Sequence, residues 1–402
     1  MERIAYSELR STPQLWGLLV LLGAFIGAAG AAVLYIEHYG HIVTGMNNQV
    51  VWGIPHVFAI FLIVAASGAL NVSSIGSVFG KQAYKPTARL SGLLAMALLM
   101  GGLVVLVLDL GRPDRLIISM TTYNFKSIFA WNMLLYTGFL AIVAAYLYAQ
   151  MARGVPSFAL KSIGLGAFLW RLALTTGTGS IFGWLVARPG YDAAIMAPMF
   201  IAMSFSFGLA MFMLVMIGTC TMTRRVYSVE LRTRQARLLG LFVAVVLFFA
   251  GIQHLSNLYV AEHAAYERFI LLEGGIYTAL FWGGQVFLGG LVPLALLFHP
   301  KLDRKKILVI IAALLVLFGG LVQLYIILIG GQVFPMEIFP GYAASSSFYD
   351  GTIASYRPTM LEFMLGFGGI AVTLAITTLG MKFLRILPVN LSDANVDPSG
   401  LE

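Results

Sequence analysis

Ten uninterrupted apolar segments, each long enough to cross a bilayer as a helix, dominate this 402-residue sequence. A hydrocarbon core about 30 Å thick requires roughly 20 apolar helical residues per crossing. Strands of a membrane β-barrel would alternate polar and apolar residues instead. Because 59% of the residues are hydrophobic and only 10% are charged, we predict an all-α polytopic membrane protein with ten transmembrane helices. The predicted spans are 16–36, 53–79, 89–109, 127–150, 160–186, 193–219, 238–260, 274–298, 307–330 and 360–384.

Lysine and arginine predict the orientation, because cytoplasmic loops carry an excess of positive charge. If the N-terminus is cytoplasmic, eighteen of the 25 basic residues fall in cytoplasmic segments and six in outer ones, while Arg171 lies within a span. Both termini are therefore predicted to be cytoplasmic. The first span is longer than the apolar core of a usual signal peptide, so we expect it to be retained. The basic residues of the cytoplasmic loops then explain the net charge of +8, and no nucleic-acid partner is needed to account for it.

A weak internal similarity predicts how the spans are grouped. The outer turn between spans 1 and 2 (YIEHYG and WGIPH) and the turn between spans 5 and 6 (VARPGYDAAIMAP) both combine Gly, Tyr and Pro. This pattern favours two four-helix bundles, in residues 1–151 and 152–300. Two additional helices and a cytoplasmic tail would follow in residues 301–402.

Ionisable residues are concentrated at the predicted outer ends of the spans, and no acid lies in the cytoplasmic half of a span. A charged group inside a membrane is costly, so each is a candidate functional residue unless it can reach water from a helix end. Both explanations are open at this stage. The outer group comprises the acids Glu37, Asp109, Asp192, Glu262, Glu273 and Glu362 and the histidines His38, His41, His56 and His263, while His254 lies about two turns below it.

The segment LDLGRPDR, residues 108–115, ends the third span. Gly111 and Pro113 are typical of a helix stop, and Arg112 lies where the helix dipole favours a cation. Asp109 is not explained in this way, because the same dipole disfavours an acid at a helix C-terminus. Since Asp109 and Arg112 are three residues apart, we predict that they form an ion pair.

The first four spans place imidazole, carboxylate, indole, phenol and amide groups at one membrane depth. A quinone head group needs an apolar slot together with hydrogen-bonding and proton-exchanging partners for its carbonyls. His56, Asp109 and Arg112 are the predicted catalytic residues. An aromatic belt with scattered helix caps would give the same pattern and is an open alternative. The predicted contacts from these spans are Trp52, His56, Tyr123, Trp131 and Asn132.

The fifth span carries polar residues along one helix face. Arg171 lies about a third of the way in from the cytoplasmic side, and Thr175 and Thr178 follow at helical spacing. Together with His254 of span 7, they predict a hydrated proton path. Alternatively, the hydroxyls bond the carbonyls of their own helix.

Other chemistries are excluded or disfavoured by the residues that the sequence lacks. Cys220 is the only cysteine, which excludes an internal disulfide and a cysteine-ligated iron–sulfur cluster. There is no Walker A, HExxH or CxxC motif. His56 and His254 form the one candidate pair of haem ligands, and neither repeats along its own helix. We therefore expect no haem and no metal.

Several motifs are similar to those of the NrfD/PsrC family, the membrane subunits of polysulfide reductase and related quinone-linked complexes. They are WGIPHVFAIFLIVAASGAL in span 2, DLGRPDR after span 3, FKSIFAWNMLLY in span 4 and EGGIYTALFWGGQVFLGGLVPLALL in span 8. Spans 1 to 4 resemble the DsrP branch of this family, which belongs to the DsrMKJOP complexes of sulfate reducers and sulfur oxidisers.

The resemblance implies a subunit without haem or metal that binds menaquinone or ubiquinone near the outer face of the first bundle. It further implies electron exchange with a periplasmic ferredoxin-like iron–sulfur subunit, further membrane and cytochrome subunits, and location in the bacterial inner membrane. Asp109 and Arg112 match the family's Asp-Leu-Gly-Arg-Pro motif. The family's quinone contacts would fall on Tyr35, Glu37, His38 and Tyr123.

We therefore expect a quinone-binding electron-transfer subunit, in which His38 or His56 exchanges protons together with Asp109. Since no carboxylate lies in the cytoplasmic half, proton exchange at the outer face would make turnover electroneutral. A membrane anchor without quinone chemistry and a secondary transporter are the alternatives. A transporter would need ionisable groups near the midplane, whereas the polar groups here lie at one face.

Overall fold

The computed structural model describes residues 5–300, 304–336, 351–389 and 391. Ten helices within these ranges have the length and hydropathy needed to cross a membrane, which confirms the predicted class of all-α polytopic membrane protein. They are α1 (Pro13–Tyr39), α2 (Ile54–Gly76), α3 (Gln82–Leu108), α4 (Ile128–Met151), α5 (Ser157–Gly183), α6 (Met196–Met222), α7 (Val229–Tyr259), α8 (Ile276–Phe298), α9 (Lys306–Val333) and α10 (Met360–Phe383).

Shorter elements complete the helical fold. The helices Leu116–Thr121 and Ala261–Arg268 lie between α3 and α4 and between α7 and α8. A π-helical segment, Leu280–Leu291, forms much of α8, and a second, Ile326–Gly330, lies within α9. Such segments are frequent at functional sites because they shift side chains out of the regular helical pattern.

Two helix starts show how local sequence sets the boundaries. α10 begins with a capping box, in which Thr359 and Glu362 satisfy each other's backbone N–H groups. α7 begins at Val229, after the N-cap Ser228, and not at residue 238 as predicted. The arginine-rich segment at its start favours a helix but has low hydropathy, so a search for apolar runs misses it.

α2 is the centre of the helical core. Of its apolar window, 94% is buried, and it packs against α3, α5, α6 and α10. A helix that is apolar all round is typical of this position. A Cβ atom added at Gly68 would lie 1.5 Å from the Ser204 carbonyl oxygen of α6, and one at Gly208 would lie 2.1 Å from the Ala69 nitrogen. Glycine therefore allows the two backbones to touch.

α10 lies between α1 and the central helices. α1 packs mainly against α10, α10 packs against α2 and α3, and only 22% of the apolar window of α1 is buried. α9 packs against α8, α6 and α2. The grouping into two bundles stays a prediction, but these contacts make α9 and α10 part of the core.

The two described ends of the chain meet at one face. Strand β1 (Tyr6–Ser7) pairs antiparallel with β2 (Leu387–Pro388). Arg225, after the end of α6, donates hydrogen bonds to the Ser7 hydroxyl and the Pro388 carbonyl. This arrangement agrees with an even number of spans, while the cytoplasmic location of the face stays a prediction. Residues 392–402 of the predicted tail lie outside the described residues.

We expect Gly68→Ala to destabilise the chain, because the added methyl group would overlap the Ser204 carbonyl. Overpacking of this kind costs about 1–3 kcal/mol and should lower the midpoint of thermal unfolding in detergent. Gly27→Ala in α1 is the matched control, since a Cβ there meets nothing within 4 Å. Equal midpoints for the two variants would contradict the close contact between α2 and α6.

Candidate functional site

His56 and Asp109 form a buried pair at the face where α2 begins, which we call the site face. His56 lies in the first turn of α2, after Pro55, and Asp109 directly follows α3. The His56 Nδ1 atom lies 2.7 Å from the Asp109 Oδ2 atom, and the side chains are 14% and 1% exposed. The ring N–H is not aligned with this contact, so neither carboxylate oxygen accepts a hydrogen bond from the described residues. The buried carboxylate therefore depends on the imidazole for its counter-charge.

Asp109 does not pair with Arg112, and that prediction was wrong. Arg112 instead donates two hydrogen bonds to Asp114, at 3.0 and 2.9 Å, and both side chains are more than half exposed. These hydrogen bonds lower the pKa of Asp114. The backbone is not helical at Arg112 (φ −143°, ψ 69°), so the i, i+3 spacing no longer brings the two side chains onto one helix face.

A second histidine approaches the pair from the loop between α1 and α2. The His41 Nε2 atom lies 3.1 Å from the backbone oxygen of Asp109. The Thr44 hydroxyl donates a 2.6 Å hydrogen bond to the His41 carbonyl, which fixes the turn. His41, one of the outer ionisable residues in the sequence, thus connects the end of α1 to the site through its contact with Asp109.

Trp52 is the centre of an aromatic group beside His56. Its ring stacks on His56 with 6.3 Å between the centroids and on Tyr191 with 6.5 Å. Phe129 of α4 and Phe182 of α5 contact the same indole edge-on. These rings give the imidazole an apolar wall made of planar side chains.

Gln332, in the last turn of α9, holds the backbone of Trp52. Its amide oxygen accepts the N–H groups of Val51 and Trp52, at 2.9 and 3.0 Å, and its amide nitrogen donates to the Trp52 carbonyl at 3.0 Å. Arg188 in turn donates to the carbonyls of Gln332 and Gln49. α9 and the loop after α5 therefore fix the segment that leads into α2.

Glu362 joins the same segment to the start of α10. It is fully buried and accepts the backbone N–H groups of Gly45 and Thr359, at 3.0 and 2.7 Å. It also accepts the Tyr356 hydroxyl at 2.5 Å, and this hydroxyl accepts the N–H of Ile54, the first residue of α2, at 2.8 Å. Burial and the adjacent carboxylate raise the pKa of Tyr356, so the hydroxyl keeps the proton that it donates.

The predicted contacts on α1 lie on the surface of the helix. Tyr35, Glu37 and His38 are all exposed. The Tyr35 and His38 rings contact Tyr39, each with 4.6 Å between centroids. In the part of the chain that the structure describes, no hydrogen bond, ion pair or ring contact joins these residues to the buried pair, and their role stays a prediction.

The predicted contacts on and before α4 are spread over its first turns. Tyr123 stacks on Phe125, and the Trp131 indole donates to the Phe125 carbonyl. Asn132 is buried and donates to the Gly177 carbonyl of α5, at 3.1 Å. Phe129, which lies between Tyr123 and Trp131 in the sequence, is the residue of α4 whose ring contacts Trp52.

Arg171 is fully buried between α5 and α2. Its guanidinium donates a 3.0 Å hydrogen bond to the Asn71 side chain and lies over the rings of Phe168 and Phe205. Its Nε and Nη1 atoms have no partner within the described ranges. An amide oxygen and two aromatic rings therefore surround this cation, and no carboxylate does.

The hydroxyls of the predicted proton path bond carbonyls of their own helix. Thr175 lies 2.8 Å from the Arg171 carbonyl, and Thr178 lies 2.9 Å from the Leu174 carbonyl. Thr175 also lies 2.5 Å from the Ser67 hydroxyl of α2. Hydrogen bonding of the hydroxyls to their own helix, the alternative to a proton path, thus accounts for these contacts. The proton path itself stays a prediction.

His254 lies in a separate pair near the end of α7. Its Nδ1 atom is 2.6 Å from Oε2 of Glu267, a residue with no exposed surface, and Asn257 donates to Oε1 at 2.8 Å. Nothing in the described ranges links His254 to Arg171 by hydrogen bonds. Glu267 was not among the residues predicted from the sequence, because it lies in the connection between two spans and only the tertiary fold buries it.

The fold and the buried pair define a polytopic membrane protein with an imidazole–carboxylate site at one face. The family model described as "Polysulphide reductase, NrfD" matches residues 42–336, a range that holds α2 to α9 and both members of the His56–Asp109 pair. The chain belongs to the NrfD family. Among the residues described, no group of three or more His, Cys, Asp or Glu could hold a metal ion.

Several relatives are similar over almost the whole chain. The Hdr-like menaquinol oxidoreductase integral membrane subunit of Archaeoglobus fulgidus is 27% identical, over 93% of this chain and 94% of the relative. A putative dimethyl sulfoxide reductase membrane subunit of Halobacterium salinarum is also 27% identical, over 92% and 90%. The menaquinone reductase integral membrane subunit of Nitratidesulfovibrio vulgaris is 22% identical, over 86% and 85%. Such names support a membrane subunit of a redox complex.

Tyr356→Phe is expected to destabilise the site face. It removes the acceptor of the Ile54 N–H and the donor to Glu362, and a buried polar group left unpaired costs about 1–3 kcal/mol. Thermal unfolding in detergent, compared with Tyr148→Phe, measures the loss, since Tyr148 is 74% exposed on α4. If the two variants unfold at the same temperature, the Glu362–Tyr356 network does not stabilise the fold.

Proposed function

We propose that the chain is the quinone-binding membrane subunit of a multi-subunit oxidoreductase and that His56 and Asp109 exchange the quinone-linked protons. The observation that carries the proposal is the buried 2.7 Å contact between these side chains, beside the Trp52 ring. The names of two relatives, a menaquinol oxidoreductase subunit and a menaquinone reductase subunit, favour menaquinone over ubiquinone.

A quinone head group fits the residues that are present. The His56 Nε2 atom has no hydrogen-bond partner among the described side chains, while Nδ1 is turned to the carboxylate. A bound quinol supplies two electrons and two protons. His56 would accept these two protons one after the other at Nε2 and pass each to water at the site face, and Asp109 stabilises the imidazolium through Nδ1. In the opposite direction the same imidazolium donates the proton.

Electrons leave or enter at the site face, because the chain is proposed to hold no haem or metal. The acceptor or donor is a ferredoxin-like iron–sulfur subunit on the periplasmic side, within a complex that includes further membrane and cytochrome subunits. Arg112 takes part in docking that subunit. Its side chain and that of its partner Asp114 are both exposed at this face, so both can contact another protein. The resemblance to the DsrP branch supports a role in sulfur metabolism at the bacterial inner membrane.

His56→Ala and Asp109→Asn are expected to slow quinol-dependent reduction of the iron–sulfur partner. Loss of a general acid–base histidine costs about 10²-fold or more in rate. Asp109→Asn keeps the shape of the side chain but removes the charge that stabilises the imidazolium. Stopped-flow absorbance of the iron–sulfur centres in the purified complex gives the rate, and titration with a quinol analogue gives the affinity.

Glu230→Gln is the matched control, because it makes the same acid-to-amide change on the opposite face, where Glu230 pairs with Arg234. It should reduce the partner at the wild-type rate. Unchanged affinity and rate in both site variants would remove His56 and Asp109 from the site. Absence of quinol-dependent reduction in the wild-type complex would favour a membrane anchor instead.

Turnover is expected to build no membrane potential. The buried carboxylates of the described chain, Asp109, Glu267 and Glu362, all lie at the site face, whereas Arg171 is buried without one. Protons therefore exchange at the same face as electrons. A potential-sensitive dye in liposomes that contain the complex tests this. A quinol-driven potential that Arg171→Leu abolishes would contradict it and establish a path through α5.

A further inference from the structure

The pair formed by His254 and Glu267 has the same atom-to-atom distance and burial as the His56–Asp109 pair, to within 0.1 Å and 1%, in a different part of the fold. In both, the histidine turns Nδ1 to a carboxylate, at 2.6 Å here and 2.7 Å there. The carboxylates are 0% and 1% exposed, and the imidazoles 15% and 14%. The pairs are not copies in sequence, because one acid follows a span and the other lies in the short helix Ala261–Arg268.

The His254 ring has one nitrogen that is not engaged by the described residues. Its Nε2 atom has no hydrogen-bond partner among the described residues, and the ring keeps part of its surface exposed. His254 lies five residues before the end of α7, about 8 Å along the helix axis. The pair therefore lies near the site face, at a depth that a group dissolved in the membrane can reach.

Aromatic and apolar side chains lie beside the His254 ring. The Phe281 ring meets the imidazole edge-on, with 4.6 Å between centroids, and Trp282 packs on Phe281 at 4.9 Å. Trp282 and Leu255 are both more than half exposed. Phe281 and Trp282 lie at the start of the π-helical segment of α8. The surroundings thus suit a flat ring that carries a polar oxygen, with an apolar tail in the lipid.

We propose that His254, oriented by Glu267, binds the head group of a second quinone or quinol molecule. The inference rests on the proposed function only in taking quinone as the ligand class. His254 hydrogen-bonds a quinone carbonyl or a quinol hydroxyl through Nε2, and the ring of the ligand packs beside Phe281 and Trp282. Glu267 is a positioning residue, because it touches the imidazole and not the ligand.

Binding stoichiometry tests this proposal. The probe is a heptyl-hydroxyquinoline N-oxide, a quinol analogue whose fluorescence is quenched on binding, titrated into the full chain purified in detergent. The expected result is two molecules bound per chain in the wild type and one in His254→Ala. Glu267→Gln should keep both sites but weaken one of them about tenfold, as loss of an orienting partner does at other ligand sites.

Ser256→Ala is the matched control, since Ser256 is exposed on the same helix, and it should bind two molecules. The site at His56 serves as an internal check of folding, because His254→Ala must still bind one molecule with unchanged affinity. Two molecules bound to His254→Ala, or one to the wild type, would overturn the proposal. If His56→Ala binds two molecules and His254→Ala one, the second site stands and the assignment of His56 fails.

Discussion

Burial of carboxylates is the constraint on which the site face depends. An ionised acid removed from water is costly unless another group supplies a charge or hydrogen bonds. The described residues bury three acids, Asp109, Glu267 and Glu362, and each takes at least one partner from another segment of the chain. Asp109 holds the end of α3 to the start of α2, and Glu267 holds a connecting helix to α7. Glu362 holds the start of α10 to the loop before α2. Each buried acid thus holds two segments of the fold together and also places a carboxylate at the site face.

The start of α2 is where these contacts converge, and much of its support comes from the last two spans. Gln332 of α9 binds the backbone of Trp52, and Glu362 of α10 reaches Ile54 through Tyr356. The match to the NrfD model ends at residue 336, before α10 begins. α10 therefore adds a buried acid to a site whose histidine and aspartate lie within the matched region. In this chain the extra helix is a structural part of the site face.

Hydropathy predicts the ten spans because the ability of a helix to cross a membrane depends on the composition of that segment alone. The same signal misplaces the start of α7, where the chain is helical but polar. The choice of His56 and Asp109 as site residues rested on their position in the membrane, yet their pairing depends on the packing of α2 against α3. Local spacing favoured Arg112 as the partner, and a turn in the backbone prevents that contact. Glu267 and Gln332 could not be found in this way, because only contacts distant in sequence show their burial.

The two histidine pairs share a distance but differ in what else supports the carboxylate. Glu267 is hydrogen-bonded to both His254 and Asn257, so the carboxylate holds the imidazole in one orientation. An imidazole held in this way offers Nε2 for a hydrogen bond to a ligand. Asp109 has no second donor among the described residues, and its one contact is poorly aligned. The His56 ring is therefore the one side chain in contact with this buried carboxylate among the described residues. This difference in hydrogen bonding supports the two proposals, ligand binding at the His254–Glu267 pair and proton exchange at the His56–Asp109 pair.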